Sequence, residues 1–231
     1  MGVTCSRKIG PFDCCSIVQG DCMYLMKQLP QLPQLFDCIL TDPPYGVELG
    51  MKPNNQRRNR IQYDSIQDTE TIITWVINDV LPRCFSLSKR IVLTPGVKYQ
   101  RKYPEPNHIG CIYYPAATGC NSWGFSCWQP IFYYGKDPYA GKGSKPDSIS
   151  SVEQTEINGH PCPKPIGQWS WLLKRVTLPG ELVFDPLIGS GTTAVAAKKS
   201  GRHFLGFEIS EDYCEIANER LANTSIDLLF R

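Results

Sequence analysis

The stretch Asp185-Pro186-Leu187-Ile188-Gly189-Ser190-Gly191-Thr192-Thr193-Ala194 restricts the fold more than any other part of the chain. Glu181 to Phe184 reads as a strand, a Gly-x-Gly turn follows, and Thr192 to Lys199 continues as a helix. Glycines at such a turn let backbone come close to a ligand. The first turn of the helix presents amide N–H groups that have no partner within the helix. Phe204 to Phe207 is the next strand, and Glu208 stands at its tip, where a carboxylate can accept hydrogen bonds from both hydroxyls of a ribose. This is the layout of a nucleoside pocket at the carboxyl edge of a parallel sheet.

The rest of the chain extends the same architecture. Ile17 to Asp21, Phe36 to Leu40 and Arg90 to Leu93 read as short apolar strands. Cys111 to Tyr114 and Trp128 to Tyr134 flank the turn-forming Asn121-Ser122-Trp123-Gly124 and suggest an antiparallel pair. Helical spacing appears at Tyr24 to Leu29, in Ile72, Ile73, Val76, Ile77, Val80 and Leu81, at Gln168 to Val176 and at Asp212 to Leu221. Strands alternating with helices imply an α/β fold with right-handed crossovers: a doubly wound, mostly parallel sheet of seven strands, with an antiparallel hairpin at one edge. Its 231 residues suit one domain, 1–231, with loop insertions near 47–63 and 136–159.

A second motif lies where the strand Phe36 to Leu40 ends. In Thr41-Asp42-Pro43-Pro44-Tyr45-Gly46 two prolines forbid further ladder hydrogen bonds, so Asp42 falls just past the strand's carboxyl end, where open α/β sheets bind ligands. A carboxylate, a proline-stiffened carbonyl and an aromatic ring within four residues suit the grip of a planar ring bearing an amino group. Asp42 and the Pro43 carbonyl each accept one N–H, and Tyr45 stacks on the ring face.

The glycine turn alone leaves two readings open. Gly189-x-Gly191-x-x-Ala194 satisfies the dinucleotide fingerprint of a NAD-dependent dehydrogenase, although that fingerprint normally opens its fold and here lies in the last third of the chain. With the Asp-Pro-Pro-Tyr turn added, the chain resembles the DNA amino-methyltransferases that make N6-methyladenine or N4-methylcytosine. The order of the two motifs resembles the permuted β group of that family. Gln19-Gly20-Asp21, His160-Pro161-Cys162-Pro163-Lys164-Pro165 and Phe207-Glu208-Ile209 resemble further family elements. The departures are Leu187 where phenylalanine is common and Pro163 inside the His-Pro-x-x-Lys-Pro element.

The resemblance implies a Rossmann-like methyltransferase fold with S-adenosylmethionine as methyl donor. It implies Asp42, Pro43, Pro44 and Tyr45 as the catalytic turn. It places Asp185, Pro186, Gly189, Ser190, Gly191 and Thr192 around the methionine part of the cofactor, Glu208 at the ribose, Asp21 toward the adenine, and His160 and Lys164 on the closing side. It implies a double-stranded DNA substrate whose target base is flipped out. Adenine N6 is expected ahead of cytosine N4, because the family's cytosine members more often carry serine where Asp42 stands. An inactive DNA-binding relative is a third reading, and nothing is missing from the catalytic turn to favour it.

Composition adds little. A formal net charge of +2 does not announce a nucleic-acid binder, so phosphate contacts are sought locally, in Arg57, Arg58 and Arg60 with Lys52 beside them, and in Lys142 with Lys136 and Lys145. None of the 11 cysteines forms a Cys-x-x-Cys pair, and no metal is expected. No apolar run has the length of a membrane span, so a cytoplasmic enzyme is expected, with a homodimer admitted as its assembly.

Overall fold

The computed structural model describes residues 5–46, 69–116, 119–153 and 164–225. The chain opens with a small hairpin, β1 (Lys8–Ile9) and β2 (Phe12–Asp13), followed by β3 (Ser16–Gln19), α1 (Cys22–Lys27) and β4 (Cys38–Thr41). Next come α2 (Glu70–Trp75), a π-helical turn over Val76–Val80, α3 (Leu81–Leu87), β5 (Ile91–Leu93) and β6 (His108–Tyr113). A hairpin of β7 (Gly119–Asn121) and β8 (Gly124–Ser126) precedes β9 (Trp128–Tyr134) and β10 (Ile149–Ser150). The last third is α4 (Ile166–Val176), β11 (Leu182–Asp185), α5 (Thr192–Lys199), β12 (His203–Glu208) and α6 (Glu211–Ala222).

One sheet organises the molecule, in the order β10-β6-β9-β5-β4-β11-β12-β3. Only β9 runs against the others, pairing antiparallel with β5 and β6. The seven expected strands are all present. The eighth, β10, lies inside the segment expected to be a long connection, where Ile149 pairs parallel with Ile112 at the sheet edge. The antiparallel pair expected around the Asn121 turn is thus part of the main sheet, and β7–β8 is a separate hairpin at its end.

Both faces of the sheet are covered, which explains its unbroken apolar strands. Successive side chains of a strand point to opposite faces. On β4, Ile39 packs with Ile73, Val76 and Leu81 on one face, while Cys38 and Leu40 join Trp169, Leu172 and Ala196 on the other. β11 divides likewise, Phe184 to the first face and Val183 to the second. The apolar spacing from Ile72 to Leu81 predicts one continuous helix, but a π turn interrupts it just before Pro82. Proline has no N–H and its ring clashes with the carbonyl four residues earlier, so the wider turn lets the helix continue past it. Among the described residues no helix is long and apolar enough to cross a membrane.

Candidate active site

Four parallel strands end side by side at one rim of the sheet, and each delivers a carboxylate there. β4 ends at Thr41 and hands on to Asp42; its neighbour β11 ends at Asp185, β12 at Glu208, and β3 at Gln19, two residues before Asp21. A cleft at this rim is lined by Asp42, Lys164, Asp185, Gly189, Ser190 and Thr192, so the proline turn and the glycine turn open onto one space. Glu208 adjoins it through the Gly189 amide, which donates to its Oε2 at 2.9 Å.

The glycine turn is held from several directions. Gly191 caps α5 in the left-handed region with φ 80°, and a Cβ there would come within 2.7 Å of the Ala217 methyl group on α6. Only glycine meets both conditions without strain. Arg220, also on α6, donates to the Ser190 carbonyl and, at 3.2 Å, to the Thr192 hydroxyl. Pro186 is buried between the strand and the turn. The remaining Glu208 oxygen, Oε1, accepts the Ser210 amide at 2.9 Å, and burial raises the carboxyl's pKa above the ordinary range.

Asp185 sits deeper, 3% exposed. Its Oδ2 accepts the Thr193 hydroxyl at 2.5 Å, and its Oδ1 the Leu187 amide at 3.1 Å. Thr193 in turn accepts the Trp169 indole N–H at 2.9 Å, which ties α4 to the site. Burial pushes the Asp185 carboxyl up to about 7, because a charge removed from water is costly even with hydroxyl and amide donors facing it.

The Asp42 carboxylate is closely surrounded. Oδ1 accepts hydroxyls from Thr94 at 2.5 Å and from Tyr45 at 2.6 Å, and Oδ2 pairs with the Lys164 ammonium at 2.9 Å. Lys164 and Gln129 also donate to the Tyr45 hydroxyl. Gln129 is placed by β9 and held to the Thr94 carbonyl at 3.1 Å. Burial, with the Asp42 charge beside it, keeps Tyr45 protonated well above the usual tyrosine range. The Lys164 ammonium lies 4.6 Å from the Tyr45 ring centroid, over a face that the sequence assigns to stacking. A ring that stacks on Tyr45 must use the other face or displace Lys164.

Of the residues singled out from sequence, the cleft gathers Asp42, Lys164, Asp185, Gly189, Ser190 and Thr192, with Tyr45, Gly191 and Glu208 against it. Pro43 and Pro44 carry the turn. Asp21 accepts the Tyr24 amide at 2.8 Å and caps α1 beside the β12 tip. Arg57, Arg58, Arg60 and His160 lie outside the described residues. Lys142 is exposed but belongs to the opposite rim: β9 runs backward, and the segment that follows it packs near the start of β5 and the end of α4. There Arg90 donates to the Lys136 carbonyl, and Arg175 pairs with Asp137. Thr94, Gln129, Thr193 and Trp169 were not singled out. Thr94 had a usable signal, since it follows β5 as Asp42 follows β4.

The hairpin β7–β8 leads into β9 just before Gln129, so it emerges from the same rim as Asp42. It carries Trp123 and Phe125, 97% and 77% exposed.

The model of the N6/N4 methyltransferase family, described as DNA methylase, matches residues 98–219, more than half of the chain. A type II methyltransferase, M2.DpnII of Streptococcus pneumoniae, is 25% identical over 228 residues, covering 82% of this chain and 83% of that protein. An orphan methyltransferase, M.BamHII of Bacillus amyloliquefaciens, is 59% identical over 44 residues, 19% of this chain and 17% of its own. Among solved structures, the complex of M1.HpyAVI with SAM superposes with a TM-score of 0.63 at 20% identity, covering 89% of this chain and 99% of that one. The cytosine-N4-specific PvuII DNA methyltransferase gives 0.62 at 14% identity, covering 94% and 95%.

Proposed function

Because the chain belongs to the DNA methylase family, we propose that it transfers a methyl group from S-adenosylmethionine to the exocyclic amino nitrogen of a base in double-stranded DNA, adenine N6 ahead of cytosine N4. The observation that carries this reading is the single cleft onto which Asp42 and the Gly189 turn both open. One end has the residues to grip an acceptor NH₂ and the other those to hold a nucleoside. A fold shared with a cytosine-specific enzyme does not choose the base; the aspartate at position 42 favours adenine, since serine is commoner there among cytosine enzymes.

The residues fit the cofactor. Glu208 accepts the Gly189 amide on one oxygen and the Ser210 amide on the other, and its carboxylate has remaining acceptor capacity for ribose hydroxyls. Asp185, Lys164 and the start of α5 offer a carboxylate, an ammonium and helix amides to the charged ends of the methionine part. When bound, S-adenosylmethionine supplies an electrophilic methyl group on sulfur. Asp42 then has two tasks. Three of its four acceptor positions are filled by Thr94, Tyr45 and Lys164, and the fourth receives a base N–H. Together with the Pro43 carbonyl it draws the amino group toward a pyramidal nitrogen whose lone pair is free to react. Its negative charge then stabilises the positive charge that grows on nitrogen. Lys164 must leave Asp42 for that charge to be fully effective.

The target nitrogen of a paired base is out of reach, so the base is flipped at a cost of a few kcal/mol. The exposed Trp123 and Phe125 suit insertion into the stack the base leaves. A labelled-methyl assay on Asp42→Ala tests the reading. Transfer should fall below detection while S-adenosylmethionine still binds; near-normal transfer would remove Asp42 from the chemistry.

A further inference from the structure

We propose that Cys5, Cys14, Cys15 and His203 form a structural zinc site that staples the amino-terminal segment to the central sheet. The four side chains offer one ligand atom each, and all four atoms lie within 4.8 Å of one another. The Sγ atoms of Cys14 and Cys15 are 3.7 Å apart, and they stand 3.4 and 3.6 Å from His203 Nδ1. Tetrahedral zinc with Zn–S near 2.3 Å and Zn–N near 2.0–2.1 Å gives S···S edges of about 3.7 Å and S···N edges of about 3.5 Å. These three edges match those values, and three thiolates with one imidazole is a ligand set used by closed structural zinc sites.

The backbone is shaped for this convergence. Neighbouring side chains of an extended chain point to opposite sides, so Cys14 and Cys15 converge only if the chain turns sharply between them. Cys15 adopts φ 61°, alone among the described non-glycine residues in the left-handed region, a conformation that is strained for a residue with a Cβ. Cys15 is also fixed to the sheet, its amide donating to the Phe204 carbonyl at 2.7 Å, and Cys14 to the hairpin, its amide donating to the Arg7 carbonyl at 2.9 Å. The four ligands therefore join the chain before β1, the end of the hairpin and the start of β12. Leu205 of β12 pairs in register with Ser16 of β3, so the cluster lies at the amino ends of these strands, away from Glu208 and Asp21 at their carboxyl ends. With four protein ligands and no open position, the site holds structure rather than performing catalysis.

The experiment uses the full chain, expressed with added zinc and purified under reducing conditions without chelator, with metal measured by plasma mass spectrometry. One zinc per chain is expected, lost in Cys15→Ser and in His203→Ala and retained in Cys84→Ser, whose buried thiol lies outside the cluster. Replacing zinc with cobalt in the wild type should give the intense visible absorption of tetrahedral cobalt thiolate, a readout that does not depend on the variants folding. Wild-type protein without stoichiometric zinc or that absorption, metal retained by both cluster variants, or a mapped disulfide between any two of the three cysteines would each overturn the assignment.

Discussion

Asp185 offers a quantitative test of the cofactor end of the cleft. Its carboxyl, buried and with a pKa near 7, keeps a proton in the folded protein that the unfolded chain has already lost above pH 4 or so. The folded pKa is raised, so the sign is opposite to that of a salt-bridged aspartate: stability is lost as pH rises from the unfolded pKa through the folded one. The slope approaches about 1.4 kcal/mol per pH unit inside that window and vanishes above it. Asp185→Asn keeps the shape and an acceptor for the Leu187 amide but does not titrate. Glu208 and the other shifted groups are common to both proteins and cancel in the difference. From roughly pH 5.5 to about pH 7.5 the wild type should therefore lose about 2 kcal/mol relative to Asp185→Asn. For a domain of this size that is a change of roughly 4–8 °C in the gap between their melting temperatures, read by thermal denaturation across pH. If the ionised carboxylate receives the ammonium of the cofactor, wild-type affinity for S-adenosylmethionine should rise about twentyfold over the same range, and the asparagine variant should show no such rise. Parallel stability profiles for the two proteins would refute the reasoning, because Asp185 would then carry no extra proton in the fold.

Two further outcomes probe the other walls of the site. Lys164→Met should weaken S-adenosylmethionine binding by roughly 10–100-fold, the loss of one charge-assisted hydrogen bond, as measured by calorimetric titration; unchanged affinity would confine Lys164 to its pairing with Asp42. Trp123→Ala should raise the KM for a duplex while leaving the cofactor constant alone. The defect should shrink when the target base is mismatched and already easy to flip. An equal defect on both duplexes would exclude the wedge.

The residues that speak in this sequence do so through the ends of strands. Asp42, Asp185 and Glu208 each follow an apolar run and precede a turn, and those local signals suffice to place all three at the carboxyl rim of a parallel sheet, because parallel strands end together. What no local signal carries is which strands are neighbours. Gln129 reaches Tyr45 only because β9 is inserted backward beside β5, and that same reversal sends Lys142 to the far rim, although its chain position after an aromatic strand looks much like that of the hairpin before it. Cys5, Cys14, Cys15 and His203 are hidden for a related reason: their spacing matches no ligand motif, and they meet because β12 pairs with β3 across most of the chain length. A sheet of alternating units gives each strand tip a meaning in isolation, whereas partnership between tips is fixed by strand order. Residues that act alone at a tip are therefore the ones a sequence reveals, and residues that act on another residue are the ones it conceals.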